Sequence, residues 1–279
     1  MASHSTFRPY GEPLGVRLVD SLQSAGLDLF SSADAHGEAG QLGLSRGHVS
    51  KLLHQLTEAR RLTRVKRGLY AINDAVTRSP RVHPFAIGTS LVTPSAISHW
   101  SALQHWGLTE QVPGAVTLSS PRRTFLPTGQ VEATHGLRAR VVAETRYQVV
   151  SIVESRFFAV TDVWMDERSR VSVLDRERAL LDAFQHFHVF GSLSVGLGIL
   201  DDHLHDLDVD RLVHHAIRLD IGAVAKRLGW ALERLQVPER ALKPLLTHPV
   251  KGDTPLEPGR PARGHHDRRW QVIENLATR

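Results

Sequence analysis

Residues 44–73, LSRGHVSKLLHQLTEARRLTRVKRGLYAIN, constrain the fold of this chain more than any other stretch. Val49, Leu52, Leu53 and Leu56 recur at the spacing that stacks side chains on one helix face. Ser50, Lys51, His54, Gln55 and Glu58 fall on the opposite face, which is left to water or to a ligand. The helix is expected over residues 46–61, with Ser45 as N-cap accepting from a backbone N–H that lacks a partner. Leu62–Lys66 and Leu69–Ile72 follow as short strands, and Gly68 supplies the permissive backbone between them. A helix running into a hairpin is the order of a winged helix-turn-helix. Upstream, residues 16–22 read as a first helix and 27–30 as a small strand. Ser31 or Ser32 caps a second helix to about Ala39, and GQLGLSRG makes the turn into the third.

A chain of 279 residues exceeds the size of such a module, so a larger second domain is expected. The polar, proline-punctuated NDAVTRSPRVHP marks the passage, placing a winged-helix DNA-binding domain at 1–78 and an α+β domain at 79–279. In the latter, residues 84–91 and 95–106 suggest helices, and 116–119, 136–142, 147–153, 157–163 and 171–173 suggest strands. Asp175 caps a helix carrying Leu180, Leu181, Phe184 and Phe187 on one side, and helices follow at 192–204, 209–218 and 221–236. Strands first and helices after define an α+β class.

Composition narrows the function. The absence of cysteine excludes disulfides, thiolate nucleophiles and Cys-ligated zinc, and fits a reducing cytoplasm. MASHSTFRPYGEP has no apolar signal core, and the longest uncharged apolar run, near 190–200, is too short to span a bilayer. A cytoplasmic protein without membrane association is expected. A net charge of +5, which the 17 histidines raise at lower pH, attracts polyanions.

Four stretches carry a family resemblance: RGLY at 67–70, LVTPSAISHWSALQHWGLTEQVP at 91–113, DRERALLD at 175–182, and the spaced set Leu256, Pro258, Pro261, Gly264, Trp270 and Asn275. Together they resemble the AbiEi-type antitoxins of bacterial abortive-infection, type IV toxin-antitoxin systems, over nearly the whole chain. The SxxSAL, GL and TEQVP elements are the distinctive part, since a winged helix alone is shared by many unrelated regulators. The resemblance implies an autorepressor whose winged helix binds operator inverted repeats, as a dimer or as cooperative monomers. It also implies a C-terminal domain that antagonises a nucleotidyltransferase-like toxin without a stable complex. The recognition helix varies within the family, so the operator sequence does not carry over.

The expected DNA-contacting residues are Ser45, Arg46, Ser50, Lys51 and Gln55 on the helix and Arg64, Lys66 and Arg67 on the hairpin. Gln pairs with adenine and Arg with guanine through two hydrogen bonds, whereas the hairpin cations hold phosphate or reach the minor groove. Glu58 would repel phosphate and, with His54, is given little part. Arg122 and Arg123, with Arg260, Arg263, Arg268 and Arg269, form two further basic clusters suited to a partner or nucleic-acid surface. Beside the second cluster, Trp270 reads first as an anchor for the tail. Trp100, Leu103 and Trp106 fit a packed helix face.

Gly43 to Gly47 satisfy G-x-S-x-G, but the residues before Ser45 form the turn after a helix, not the buried strand that a nucleophile elbow needs. Asp201, Asp202, His203, His205 and Asp206 lack the spacing of a defined metal motif and read as a solvated helix end; His265, His266 and Asp267 read as a surface loop. No catalytic residue, metal or cofactor is expected. The competing readings are a ligand-responsive winged-helix regulator without antitoxin role, and an enzyme using the acidic or histidine-rich patches.

Overall fold

The computed structural model describes residues 13–121, 131–134, 137–249 and 252–276. It is a mixed α+β protein that divides into two compact units. The first runs to His83 and takes in Asp166–Ser169; the second comprises Pro84–Met165 and the chain from Arg170 onward.

The first unit contains α1 (Leu14–Ser24), β1 (Leu29–Ser31), α2 (Ser32–Gln41), α3 (Arg46–Glu58), β2 (Leu62–Lys66) and β3 (Leu69–Ile72). Its strands form an antiparallel sheet in the order β1-β3-β2. Leu18 and Leu22 of α1, Val49 and Leu53 of α3, Leu62 and Ile72 are buried together, with Ala35 and Ala39 as the small buried residues of α2. Ser31 opens α2 with a capping box: its side chain accepts from Asp34 N–H, and the Asp34 carboxylate accepts from Ser31 N–H at 2.7 Å.

Helix α3 ends at Glu58, short of the expected residue 61. Arg60 takes a left-handed backbone, φ 52°, and Arg61 N–H reaches back to Leu56 O, the reversal that closes a helix. Ser45 is the N-cap residue as expected, yet its hydroxyl makes no capping hydrogen bond, so that expected role is corrected.

In the second unit come α4 (Pro84–Leu91), β4 (Ala96–Ile97), α5 (His99–His105), β5 (Val116–Ser120), β6 (Val131–Thr134), β7 (Leu137–Val142), β8 (Thr145–Ser151), β9 (Val160–Trp164) and β10 (Arg170–Leu174). The seven strands order as β6-β7-β8-β5-β4-β10-β9, with β5–β8 and β4–β10 parallel and the rest antiparallel. The helix expected over 95–106 is two elements, because Ala96 and Ile97, both fully buried, slot between β5 and β10 as a strand. The strand expected from 157 starts only at Val160, after Ala159 turns with φ 57°.

Helices follow: α6 (Arg176–Gln185), α7 (Phe187–Phe190), α8 (Leu193–His203), α9 (Val209–Leu219), α10 (Gly222–Arg234) and α11 (Glu239–Thr247). Asp175 caps α6 by accepting from Arg178 N–H at 2.8 Å. Every residue from Glu177 to Phe184 is buried, since α5, α8, α9 and α10 all pack on α6. Phe187, expected on this helix, instead opens α7.

A last sheet, β11 (Thr254–Pro255), β13 (Val272–Glu274) and β12 (His265–Asp267), closes on α10. Asn275 clasps it, its amide accepting from Glu257 N–H and donating to Glu257 O at 2.8 Å each. Gly264 is required there: an added Cβ would lie 2.1 Å from Glu274 O. Neither α11 nor this sheet is anticipated by hydrophobic periodicity.

Candidate nucleic-acid interface

Helix α3 buries Val49, Leu52 and Leu53 and turns Arg46, Ser50, Lys51, His54, Gln55 and Glu58 outward. The exposed residues recur every three to four positions, so one stripe of the helix meets solvent while the opposite stripe holds it to α1, α2 and the sheet. Ser50 Oγ donates back to Arg46 O at 3.3 Å, so its hydroxyl reaches a ligand mainly as an acceptor. Ser45, exposed and uncapping, keeps its hydroxyl available for contact. It follows α2 rather than a strand, which removes the structural context of a nucleophile elbow.

Strands β2 and β3 pair with Arg64 opposite Tyr70 and Lys66 opposite Leu69, and the register shifts between Arg64 and Lys66. That shift accommodates Val65, which is fully buried, and leaves Arg64 exposed. The turn carries Arg67 beside Gly68, whose φ of 75° suits a residue without Cβ. Arg64 and Arg67 are exposed and Lys66 is half-buried. Among the described residues, Arg46, Lys51, Arg64 and Arg67 have no carboxylate partner, so their charges are not neutralised from within. Such an arrangement can bind a polyanion.

The second basic group is divided by the structure. Arg122 and Arg123 lie outside the described residues. Arg260, Arg263 and Arg268 are exposed, but Arg269 pairs with Glu233 at 3.0 Å and Glu239 at 2.8 Å. Arg269 therefore braces α10 and α11 while remaining exposed. Trp270 is the anchor it reads as: it is 2% exposed, and its indole N–H donates to Glu233 at 2.7 Å. His265 and His266 lie in β12 and not in a loop. His203 and His205 share Asp206 at 3.3 and 3.4 Å at the exposed end of α8. Leu103 is buried, and the half-buried Trp106 donates its indole N–H to Leu174 O at 2.8 Å, as a packed face requires.

A polar cluster in the second unit escaped the sequence reading. His99, Asp182 and His186 place one candidate ligand atom each within 4.8 Å of one another. His99 Nε2 is 2.9 Å from His186 Nδ1, and the carboxylate of Asp182 accepts both His99 N–H at 3.3 Å and the Arg178 guanidinium. Ser98 Oγ sits 2.8 Å from His99 Nδ1. Burial disfavours charge on His99 and, with help from His99, on His186, whose pKa is pushed down to about 4. Burial also opposes charge on Asp182, but Arg178 and His99 more than offset it and hold its pKa below the usual carboxylate range. Only the ion pair leaves a trace in the sequence, Arg178 and Asp182 standing four apart on a helix whose other residues are largely apolar; the histidines are brought to it by the fold.

No family model matches the chain, and no curated protein matches it. Among solved structures it is similar to the crystal structure of the RV2827C protein from Mycobacterium tuberculosis, at TM-score 0.67 and 16% identity, over 95% of this chain and 92% of that one. At that identity the likeness bears on the fold alone. Among the described residues no helix is long and apolar enough to cross a membrane.

Proposed function

We propose that the first unit is a winged helix-turn-helix that binds operator DNA, and that the whole chain is an autorepressor and antitoxin of the AbiEi kind. The observation that carries the DNA reading is the stripe of Arg46, Ser50, Lys51 and Gln55 on α3, beside a hairpin presenting Arg64 and Arg67, with the cations free of carboxylate partners among the described residues. In this reading α3 enters the major groove, where Gln55 and Arg46 meet base edges and Lys51 meets phosphate. The hairpin is the wing, and its cations fix register on the backbone. Affinity comes mainly from phosphate neutralisation and site choice from a few base contacts.

The antitoxin half rests on the residues at 91–113, 175–182 and 256–275 that resemble the family. Of these, Ser98, Ser101 and Leu108 are buried, whereas Gln111 and Val112 of TEQVP are exposed, Val112 at 77%. Exposed TEQVP residues are available to a macromolecule in a way the buried ones are not. Footprinting the full chain on the DNA upstream of its own gene tests the repressor reading; protection of an inverted repeat is expected. Co-expression with a nucleotidyltransferase-like toxin from the adjoining gene tests the antitoxin reading; restored growth is expected, and growth arrest that the chain does not relieve would withdraw it.

A further inference from the structure

We propose that His99, Asp182 and His186 form a binding site for one divalent transition-metal ion of the zinc class. Two imidazoles and a carboxylate are a donor set that such ions take, with a further position left to water or another ligand. Tetrahedral zinc at ordinary bond lengths holds its donor atoms about 3.3 Å apart. His99 Nε2 and His186 Nδ1 stand 2.9 Å apart in a direct hydrogen bond, which an ion would replace by parting the two rings and turning them toward itself. The imidazole rings lie nearly parallel, 17° between planes, with centroids 5.0 Å apart, so both nitrogens face the same gap.

Each ligand is oriented by another group, as bound metals require. Ser98 Oγ at 2.8 Å from His99 Nδ1 leaves Nε2 to point at the site. Arg178 engages Oδ1 of Asp182, and Oδ2, which accepts the His99 backbone N–H at 3.3 Å and stands 3.4 Å from His99 Nδ1, is the oxygen that would turn toward Nε2 to meet the ion. His99 and Asp182 are fully buried and His186 is half-buried, so His186 is the ligand nearest to solvent. His99 also holds φ at 52° at the start of α5, a left-handed conformation that His adopts more readily than most side chains. The alternative occupant of the gap is the His99–His186 hydrogen bond alone.

The full chain, stripped with a chelator and titrated with Zn²⁺ against a chromophoric competitor, should bind one equivalent with sub-micromolar affinity. Co²⁺ should give the visible absorption of a four- or five-coordinate site. His186→Gln should weaken Zn²⁺ binding at least a hundredfold, while the double variants His203→Ala/His205→Ala and His265→Ala/His266→Ala, neither among the three ligands, should bind as the parent does. Because His186→Gln may be read only if it folds, circular dichroism accompanies it, and imidazole ¹⁵N shifts of the parent chain give a second readout. Zn²⁺ should move the signals of His99 and His186 together. Absence of saturable binding, binding unchanged in folded His186→Gln, binding lost in either exposed-histidine variant, or unmoved His99 and His186 signals would each overturn the proposal.

Discussion

At Gly229 the indole of Trp270 occupies the space a side chain would take: an added Cβ would lie 1.9 Å from the ring. Gly229→Ala must therefore displace Trp270 or bend α10, and a loss of about 1–3 kcal/mol in urea unfolding is expected for overpacking of this kind. Gly198 in α8 is the control, since a Cβ there meets nothing within 4 Å; Gly198→Ala should be neutral or stabilise by about 0.5–1 kcal/mol. Equal effects at the two positions would refute this packing. The buried charges make a second residue-scale prediction. Asp182→Ala leaves the fully buried Arg178 facing its neighbours without a counter-charge, and about 3–5 kcal/mol of stability should be lost. Full stability of that variant would mean that Arg178 finds another partner.

Element boundaries follow local bonding that the alternation of apolar residues does not report. Ser31 and Ser45 look alike in sequence, each a serine ahead of a helix, but only Ser31 has a carboxylate three residues on to complete a capping box. Ser31→Ala should cost about 1 kcal/mol in thermal or urea unfolding, and Ser45→Ala much less. The reverse order would overturn the capping assignment. Strands β2 and β3 and helix α4 were legible to the residue, because short alternating or apolar runs ended at Gly68, Asn73 and Pro84. The pairing of β4 was not legible: Ala96 and Ile97 are too few to show a period, and their state is set by β5 and β10 on either side. The C-terminal sheet hid for a related reason, since Asn275, Gly264 and Trp270 act through single long-range contacts and not through any repeat.

On the scale of the whole molecule, the positive surface of α3 and its hairpin was readable from charge and spacing, whereas the cluster around His99 joins residues more than 80 positions apart and needed the fold. The first unit is completed by Asp166–Ser169, where Arg168 reaches the buried Asp28 at 2.7 Å. A fragment cut at the end of β3 would lose that contact, so DNA binding is best measured on the full chain. Fluorescence anisotropy of the full chain on its own upstream duplex, over a series of salt concentrations, tests the central claim. Affinity that falls steeply with salt is expected, with a log–log slope shallower by about 0.9 for each phosphate contact removed by Lys51→Ala or Arg67→Ala. Affinity independent of salt, or a slope unchanged in both variants, would contradict that claim.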